Sequence, residues 1–224
     1  MKPGRTFINI NGLAIFAALC CMLLPAAGSG TQTQPRVDVR MVTDEAESVL
    51  AILSKKKSGQ AITEDDWRRV FSTEGYARLK KRELAMRRSF EDADFKAFVL
   101  SDELARRAAE LEATLEKWRR ADVSSAASRA LAYLPENARI RAKIYPVIKP
   151  RDNSFVFEVK TDPAIFLYLD PTMSKERFEN TLAHELHHIG YSSSCPSAQS
   201  EQEISKLARN SQIVIGWTGA FGEG

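Results

Sequence analysis

All three histidines of this 224-residue chain lie in one five-residue run, HELHH, at positions 184–188. If the run is helical, His184 and His188 project from one face about 40° apart, because an α-helix turns about 100° per residue. Two imidazoles placed in this way can bind one metal ion. Glu185 lies about 100° round from His184, where it can reach a water on that metal but is poorly placed to bind the metal itself. The run therefore predicts a helix with a metal site on one face.

The residues around this run favour a buried helix. Ser174 is expected to cap its N-terminus, and Gly190 is expected to end it. His187 projects about 60° from His184 on the side away from His188, so we expect it to pack or hydrogen-bond rather than to bind the metal. The alternative is a surface helix whose histidines only form hydrogen bonds. Against it, apolar residues recur at helical spacing on one face, at Phe178, Leu182, Leu186 and Ile189.

A catalytic zinc site needs a third protein ligand, with water in the fourth position. The chain has no fourth histidine and no aspartate after residue 170, so the downstream candidates are Glu201, Glu203 and Glu223. Glu201 and Glu203 follow the motif after only a short interval, in which the helix must end and the chain must reverse its direction. Either could just reach the metal. We favour Glu223, because nearby glycines and a longer connection would let a second helix return to the first.

The first 28 residues have the layout of a secretory signal peptide, with basic residues, an apolar stretch at 13–24 and then a run of small residues. The apolar stretch is too short for a comfortable membrane span, so we expect no stable span after cleavage. The mature protein is then exported, to the periplasm or the medium. Lipoprotein processing at Cys20 or Cys21 is the weaker alternative, since the residue before the modified cysteine should be small.

Composition argues against two other classes of protein. Removing the signal peptide leaves Cys195 as the one cysteine, which excludes a disulfide framework within the chain and suggests a buried thiol. The net charge of +3 is spread over mixed acidic and basic residues, and the Arg/Lys clusters at 78–88 alternate with apolar positions, as on a solvated helix face. We therefore expect no nucleic-acid partner.

The region at 38–134 is predicted to be helical throughout, after a signal peptide at 1–28 and a polar linker at 29–37. Thr63, with Asp66 three residues later, forms a capping-box pattern at the start of one helix. Apolar residues at spacings of three and four predict a long amphipathic helix that packs against other helices. They are Leu104, Ala108, Leu111, Leu115 and Trp118.

The region at 135–224 changes character and predicts a zincin-like catalytic region. Short segments rich in β-branched and aromatic residues predict strands at 140–148, 155–159 and 165–169, and a turn signal at 150–154 makes the first two hairpin-like. Together with the motif helix they would form the upper half of a zincin-type domain, in which an edge strand borders the cleft and can pair with an extended peptide. The predicted fold class is α+β: a mostly helical N-terminal region, then a short mixed sheet and an active-site helix.

Much of the chain resembles a domain-of-unknown-function family of bacterial proteins described as zinc-dependent peptidases. The resemblance rests on Leu134-Pro135, on the segments 144–150, 153–158 and 162–170, on HELHHIGY at 184–191, and on the helical stretch at 49–101. It implies a gluzincin-like site in which Glu223 matches the glutamate of a second helix that supplies the third ligand. The chain stops one residue later, so we expect the catalytic region to be incomplete at its C-terminus. The group that stabilises the oxyanion is then Tyr191, another upstream residue, or part of the missing segment.

Together these observations predict an exported zinc metallopeptidase acting on peptide or protein substrates. His184, His188 and Glu223 would hold Zn²⁺, and Glu185 would take a proton from the attacking water. The alternative from a different class is a non-catalytic exported binding protein with a structural or vestigial zinc site. A fourth protein ligand would close such a site, whereas catalysis requires an open position.

Overall fold

The computed structural model describes residues 35–194. The predicted signal peptide, most of the linker, Cys195 and the three candidate glutamate ligands lie outside these residues. No helix in the described part is long and apolar enough to cross a membrane. The helices found there are α1 (Asp44–Lys57), α2 (Glu64–Phe71), α3 (Glu74–Ala85), α4 (Asp92–Val99), α5 (Asp102–Arg119), α6 (Val123–Leu131) and α7 (Lys175–Ser194). The strands are β1 (Val37–Met41), β2 (Ile140–Val147), β3 (Phe155–Phe157) and β4 (Ala164–Tyr168).

The four strands form one mixed sheet in the order β1-β2-β4-β3. β1 and β4 pair with β2 in parallel, and β3 pairs with β4 antiparallel at one edge. The predicted α+β fold class with a short mixed sheet is confirmed. The hairpin-like pairing expected between the first two predicted strands is wrong, because β4 lies between β2 and β3 and the hairpin is formed by β3 and β4.

Strand β1 corrects the prediction that the region at 38–134 is helical throughout. Val37, Val39 and Met41 are partly buried against the core, whereas Asp38 and Arg40 are exposed. This alternation has the period of a strand, but it covers five residues only. Its partner, β2, begins about a hundred residues later, so local sequence gave little sign of the pairing.

The predicted helical features are present. Thr63 and Asp66 form the capping box at the start of α2, with the backbone N–H of Thr63 donating to Asp66 Oδ2 at 2.9 Å. The long amphipathic helix is α5, whose apolar residues are buried against neighbouring helices. Trp118 of α5 packs on Phe178 of α7, with ring centroids 4.6 Å apart. This contact fixes the first turn of the motif helix against the core.

The two faces of the sheet are covered by different helices. Alternate residues of a strand point to opposite faces. Ile144 and Ile165 face the main core, which contains side chains of α1, α5, α6 and α7. Tyr145 and Phe166 face the other way, onto Leu79 of α3. The motif helix α7 and helix α3 therefore lie on opposite faces of the sheet.

A buried carboxyl group lies in the first turn of α1. Glu45 is 1% exposed, and its Oε2 accepts a hydrogen bond of 3.0 Å from the backbone N–H of Ile148. Its Oε1 is buried and has no hydrogen-bond partner among the described residues. Burial raises the pKa of Glu45 to about 8, against the lowering effect of the Ile148 hydrogen bond. The folded protein therefore keeps Glu45 protonated at neutral pH.

We expect Glu45 to contribute a fall in the free energy of unfolding as the pH rises from about 5 to about 8, because the unfolded chain ionises Glu45 while the folded chain retains the proton. One such proton contributes a slope of at most about 1.4 kcal/mol per pH unit. Glu45→Gln should flatten the slope in that window. Glu47→Gln, on the same helix but 46% exposed, is the matched control for the replacement of a glutamate of α1 by glutamine. Urea unfolding measures this, and equal slopes for the wild type and Glu45→Gln would contradict the prediction.

Candidate active site

Helix α7 carries the whole HELHH motif, and its N-terminus is capped as the sequence predicts. Ser174 Oγ accepts a hydrogen bond of 3.1 Å from the backbone N–H of Arg177, and Ser174 O accepts one of 2.9 Å from that of Phe178. The predicted apolar face is buried in the main core, at Phe178, Leu182, Leu186 and Ile189. The opposite side of the helix is thereby left to carry the histidine pair.

The prediction that Gly190 ends the helix is wrong, because α7 continues to Ser194. Gly190 is buried, and a Cβ atom added there would lie 2.3 Å from Leu134 Cδ1 and 3.0 Å from Ile140 Cγ1. The glycine therefore lets α7 lie against the start of β2. A hydrogen bond also joins α7 to the residue before β2: the backbone N–H of Arg139 donates to Ser193 Oγ at 2.8 Å.

We expect Gly190→Leu to destabilise the fold by about 2 kcal/mol, because the added side chain must displace atoms in a packed contact. Chemical denaturation measures the loss. Leu134→Ala is the matched test, since it removes the atom nearest to the added side chain. The double variant should lose less than the sum of the two single variants. Simple additivity would contradict the close contact.

The two predicted ligands face each other. His184 Nε2 and His188 Nε2 are 3.0 Å apart, and the two ring planes are nearly perpendicular, at 88°. Zinc binds imidazole nitrogen at about 2.0–2.1 Å, so two such bonds at a tetrahedral angle place the nitrogens about 3.3 Å apart. A small increase in the distance between the two Nε2 atoms would therefore make room for the ion. Without a metal, the same separation suits an N–H···N hydrogen bond between neutral rings.

Burial sets the protonation of the motif. It lowers the pKa of His188, and the neighbouring His184 and His187 lower it further. A neutral imidazole is the form that binds metal. Burial also raises the pKa of the half-buried Glu185, while His184 opposes the change. A carboxylate with a raised pKa is better matched to proton transfer near neutral pH than an exposed one.

The structure brings together the histidine pair and Glu185, and leaves the rest of the predicted site untested. Within residues 35–194, no group of three or more His, Cys, Asp or Glu side chains is placed to hold a metal ion. Glu201, Glu203 and Glu223 lie beyond these residues, so the third ligand stays a prediction. Tyr191, the candidate for oxyanion stabilisation, is on α7 and is 58% exposed.

Sequence reasoning missed a charged cluster at the edge of the sheet. Arg78 of α3 is buried and forms ion pairs with Glu158 and Asp162, which flank the turn between β3 and β4. These partners lie about eighty residues along the chain from Arg78. The sequence around Arg78 has only the alternation of charged and apolar residues found on any solvated helix, so it held no signal for the cluster.

The chain matches a family model described as "Putative zinc dependent peptidase (DUF5700)" over residues 43–216. The chain belongs to this family. The matched segment includes all of α1 to α7 and the HELHH run, with Glu201 and Glu203 inside it and Glu223 beyond it. No curated protein and no solved structure matches the chain. Membership of the DUF5700 family supports a zinc-dependent peptidase, and with it peptide or protein substrates.

Proposed function

We propose that this DUF5700 member is an exported zinc metallopeptidase of the gluzincin kind. His184, His188 and Glu223 bind the metal, and Glu185 is the general base. The observation that carries the proposal is the 3.0 Å approach of the two partly buried imidazole Nε2 atoms on helix α7. Glu185 is half-buried beside them, on the same helix.

The residues of the motif have separate roles in hydrolysis. Zn²⁺, when bound, supplies a Lewis acid that polarises the scissile carbonyl and acidifies the attacking water. Glu185 accepts the proton of that water and delivers it to the leaving amine. His184 and His188 hold their rings on one side of α7, so Glu185 stays free of the metal and available for proton transfer.

For the third ligand we propose Glu223, on the elimination of other residue types and on its setting among glycines. Glu201 and Glu203 are the alternatives, and both lie inside the segment that matches the family. The zinc content of the variants Glu201→Gln, Glu203→Gln and Glu223→Gln, each made singly, distinguishes the three candidates. Zinc loss in Glu201→Gln or Glu203→Gln, with zinc retained in Glu223→Gln, would overturn the assignment.

The substrate is proposed to bind along β3. This strand lies at the edge of the sheet, pairs only with β4 among the described strands, and contacts α7. An extended peptide can add to such an edge by main-chain hydrogen bonds. The scissile bond would then lie between β3 and the histidine pair of α7.

Export is proposed from the layout of residues 1–28. The measurement is the mature N-terminus, by mass spectrometry of the protein produced in a bacterial host with its own leader. Cleavage between Ala27 and Thr31, without lipid, is the expected result. An acylated Cys21 would indicate an anchored lipoprotein, and an uncleaved cytoplasmic product would refute export.

The experiment that tests the activity is an unbiased peptide-cleavage screen with the zinc-loaded protein and with the same protein stripped by a chelator. Cleavage that requires zinc supports the proposal. The rival function is a non-catalytic binding protein with a structural site. It predicts bound zinc, no cleavage of any peptide, and a fourth protein ligand that closes the site.

A further inference from the structure

Strand β3 is too short to be held by its own pairing. It contributes three residues to the sheet, with Phe155, Val156 and Phe157 opposite Phe166, Ile165 and Ala164 of β4. Three residues are the lower end of the usual strand length, and an edge strand has a partner on one side only. The stacking of Phe155 on Phe166, with ring centroids 5.0 Å apart, and contacts from outside the sheet therefore help to fix its position.

Arg78 supplies contacts at the end of β3, from the face of the sheet opposite α7. Its Nη1 donates to Asp162 Oδ2 at 2.8 Å and to the Tyr145 hydroxyl at 3.2 Å. Its Nη2 donates to Glu158 Oε2 at 2.8 Å and also to the backbone oxygen of Asp162. One planar guanidinium thus binds both ends of the turn that joins β3 to β4, a geometry that a lysine ammonium cannot reproduce.

The turn itself adopts a conformation that needs such support. Glu158, the residue after β3, has a φ of 53°, in the left-handed region that residues other than glycine rarely occupy. Its backbone oxygen accepts hydrogen bonds from the N–H groups of Thr161 at 3.0 Å and Asp162 at 3.1 Å. This bend ends β3 two residues earlier than the sequence pattern predicts. We name the ion pairs of Arg78 with Glu158 and Asp162 the turn clamp.

The turn clamp lies level with Glu185. Helix α7 runs antiparallel to β2, because it follows the end of β4 and its Gly190 reaches the start of β2. Glu185 precedes Gly190 by five residues, about 7.5 Å along the helix, which corresponds to about two residues of a strand. That distance leads from Ile140, at the start of β2, to Ala142, the residue before Lys143. Lys143 pairs with Ala164 of β4, and Ala164 pairs with Phe157 at the end of β3.

We infer that Arg78 is a positioning residue for substrate: through the turn clamp it holds the end of β3 at the height of Glu185, where an extended peptide would pair. The inference rests on the proposed peptidase function and on binding along β3. Arg78 is remote from the reacting atoms, on the other face of the sheet, so its loss should weaken peptide binding more than it slows the chemical step.

The test compares Arg78→Met with Arg78→Lys and with Lys81→Met in the full-length, zinc-loaded protein. Lys81 is the matched control, because it also pairs with Glu158 from α3 but is 65% exposed and does not reach Asp162 in the structure. The first readout is hydrogen–deuterium exchange of the amides at 155–158. The second is apparent KM and kcat for cleavage of β-casein, an unfolded polypeptide probe that can extend along an edge strand.

We expect Arg78→Met to speed exchange at 155–158 and to raise KM by about tenfold, which corresponds to about 1.4 kcal/mol of binding free energy, with kcat changed less than about twofold. The exchange rate and KM of Arg78→Lys should lie between those of Arg78→Met and the wild type. Both quantities in Lys81→Met should match the wild type. Arg78→Lys retains the charge and keeps the test valid if Arg78→Met does not fold.

Unchanged exchange and KM in both Arg78 variants would overturn the inference. A fall in kcat equal to the rise in KM would also overturn it, since that pattern indicates general loss of structure rather than displaced substrate. If the wild type does not cleave β-casein with zinc bound, the proposed function fails on this probe and the substrate role of Arg78 fails with it. The exchange measurement then still decides whether Arg78 holds β3.

Discussion

Glu185→Gln is expected to lower kcat for peptide cleavage by about a thousandfold while the protein keeps its zinc. An amide cannot accept the proton of the attacking water, and general acid–base catalysis of this kind contributes about 10²–10⁴-fold. Glutamine has nearly the shape of glutamate and can occupy the same half-buried position on α7. The fold should therefore be preserved.

The measurement is kcat on a peptide from the cleavage screen, with zinc content determined on the same sample. Glu179→Gln is the matched control, because Glu179 lies on the same helix and pairs with Arg129 at 3.3 Å, away from the histidines. It should retain full activity. Wild-type turnover in Glu185→Gln would show that another group is the base, and zinc loss in that variant would make Glu185 a ligand.

His184→Ala and His188→Ala are each expected to lower zinc affinity by at least about a hundredfold. Removal of a group that merely supports a ligand costs about 10–100-fold, and removal of a ligand should cost more. The two Nε2 atoms now converge at 3.0 Å, so either variant leaves one imidazole without its counterpart. Competition with a chelator of known affinity measures the loss.

His187→Ala is the control for this pair, since it changes the neighbouring residue of the same run. It should keep zinc affinity within about threefold of the wild type, because its ring projects to the other side of His184 from His188. Zinc loss in His187→Ala with zinc retained in His188→Ala would mean that the motif binds metal through a different pair.

Patterns that are local in the sequence predicted much of this fold. The apolar spacing of α5 and α7, the Ser174 cap and the capping box of Thr63 all depend on residues within a few positions of each other. The three predicted strands agree with β2, β3 and β4 to within two residues at each end. The convergence of His184 and His188 follows from helical geometry alone, so it too was predictable.

Features that depend on distant contacts were not predictable. β1 is a strand because β2 accepts it as a partner, and its five residues alone do not show this. The sequence around Gly190 is typical of a helix stop, because a glycine at a helix end and a glycine at a close contact look alike in the sequence. Only the positions of Leu134 and Ile140 reveal the contact. The turn clamp depends in the same way on partners far along the chain.

The most direct test of the central claim is a zinc titration of the metal-free protein in which peptide cleavage and bound zinc are measured at each addition. For the wild type we expect activity to rise from zero and to stop rising at one zinc per chain. Glu185→Gln should bind one zinc and stay inactive, and His188→Ala should fail to bind at the same concentrations. Cleavage that persists in the metal-free wild-type protein would show that the peptidase activity does not depend on zinc.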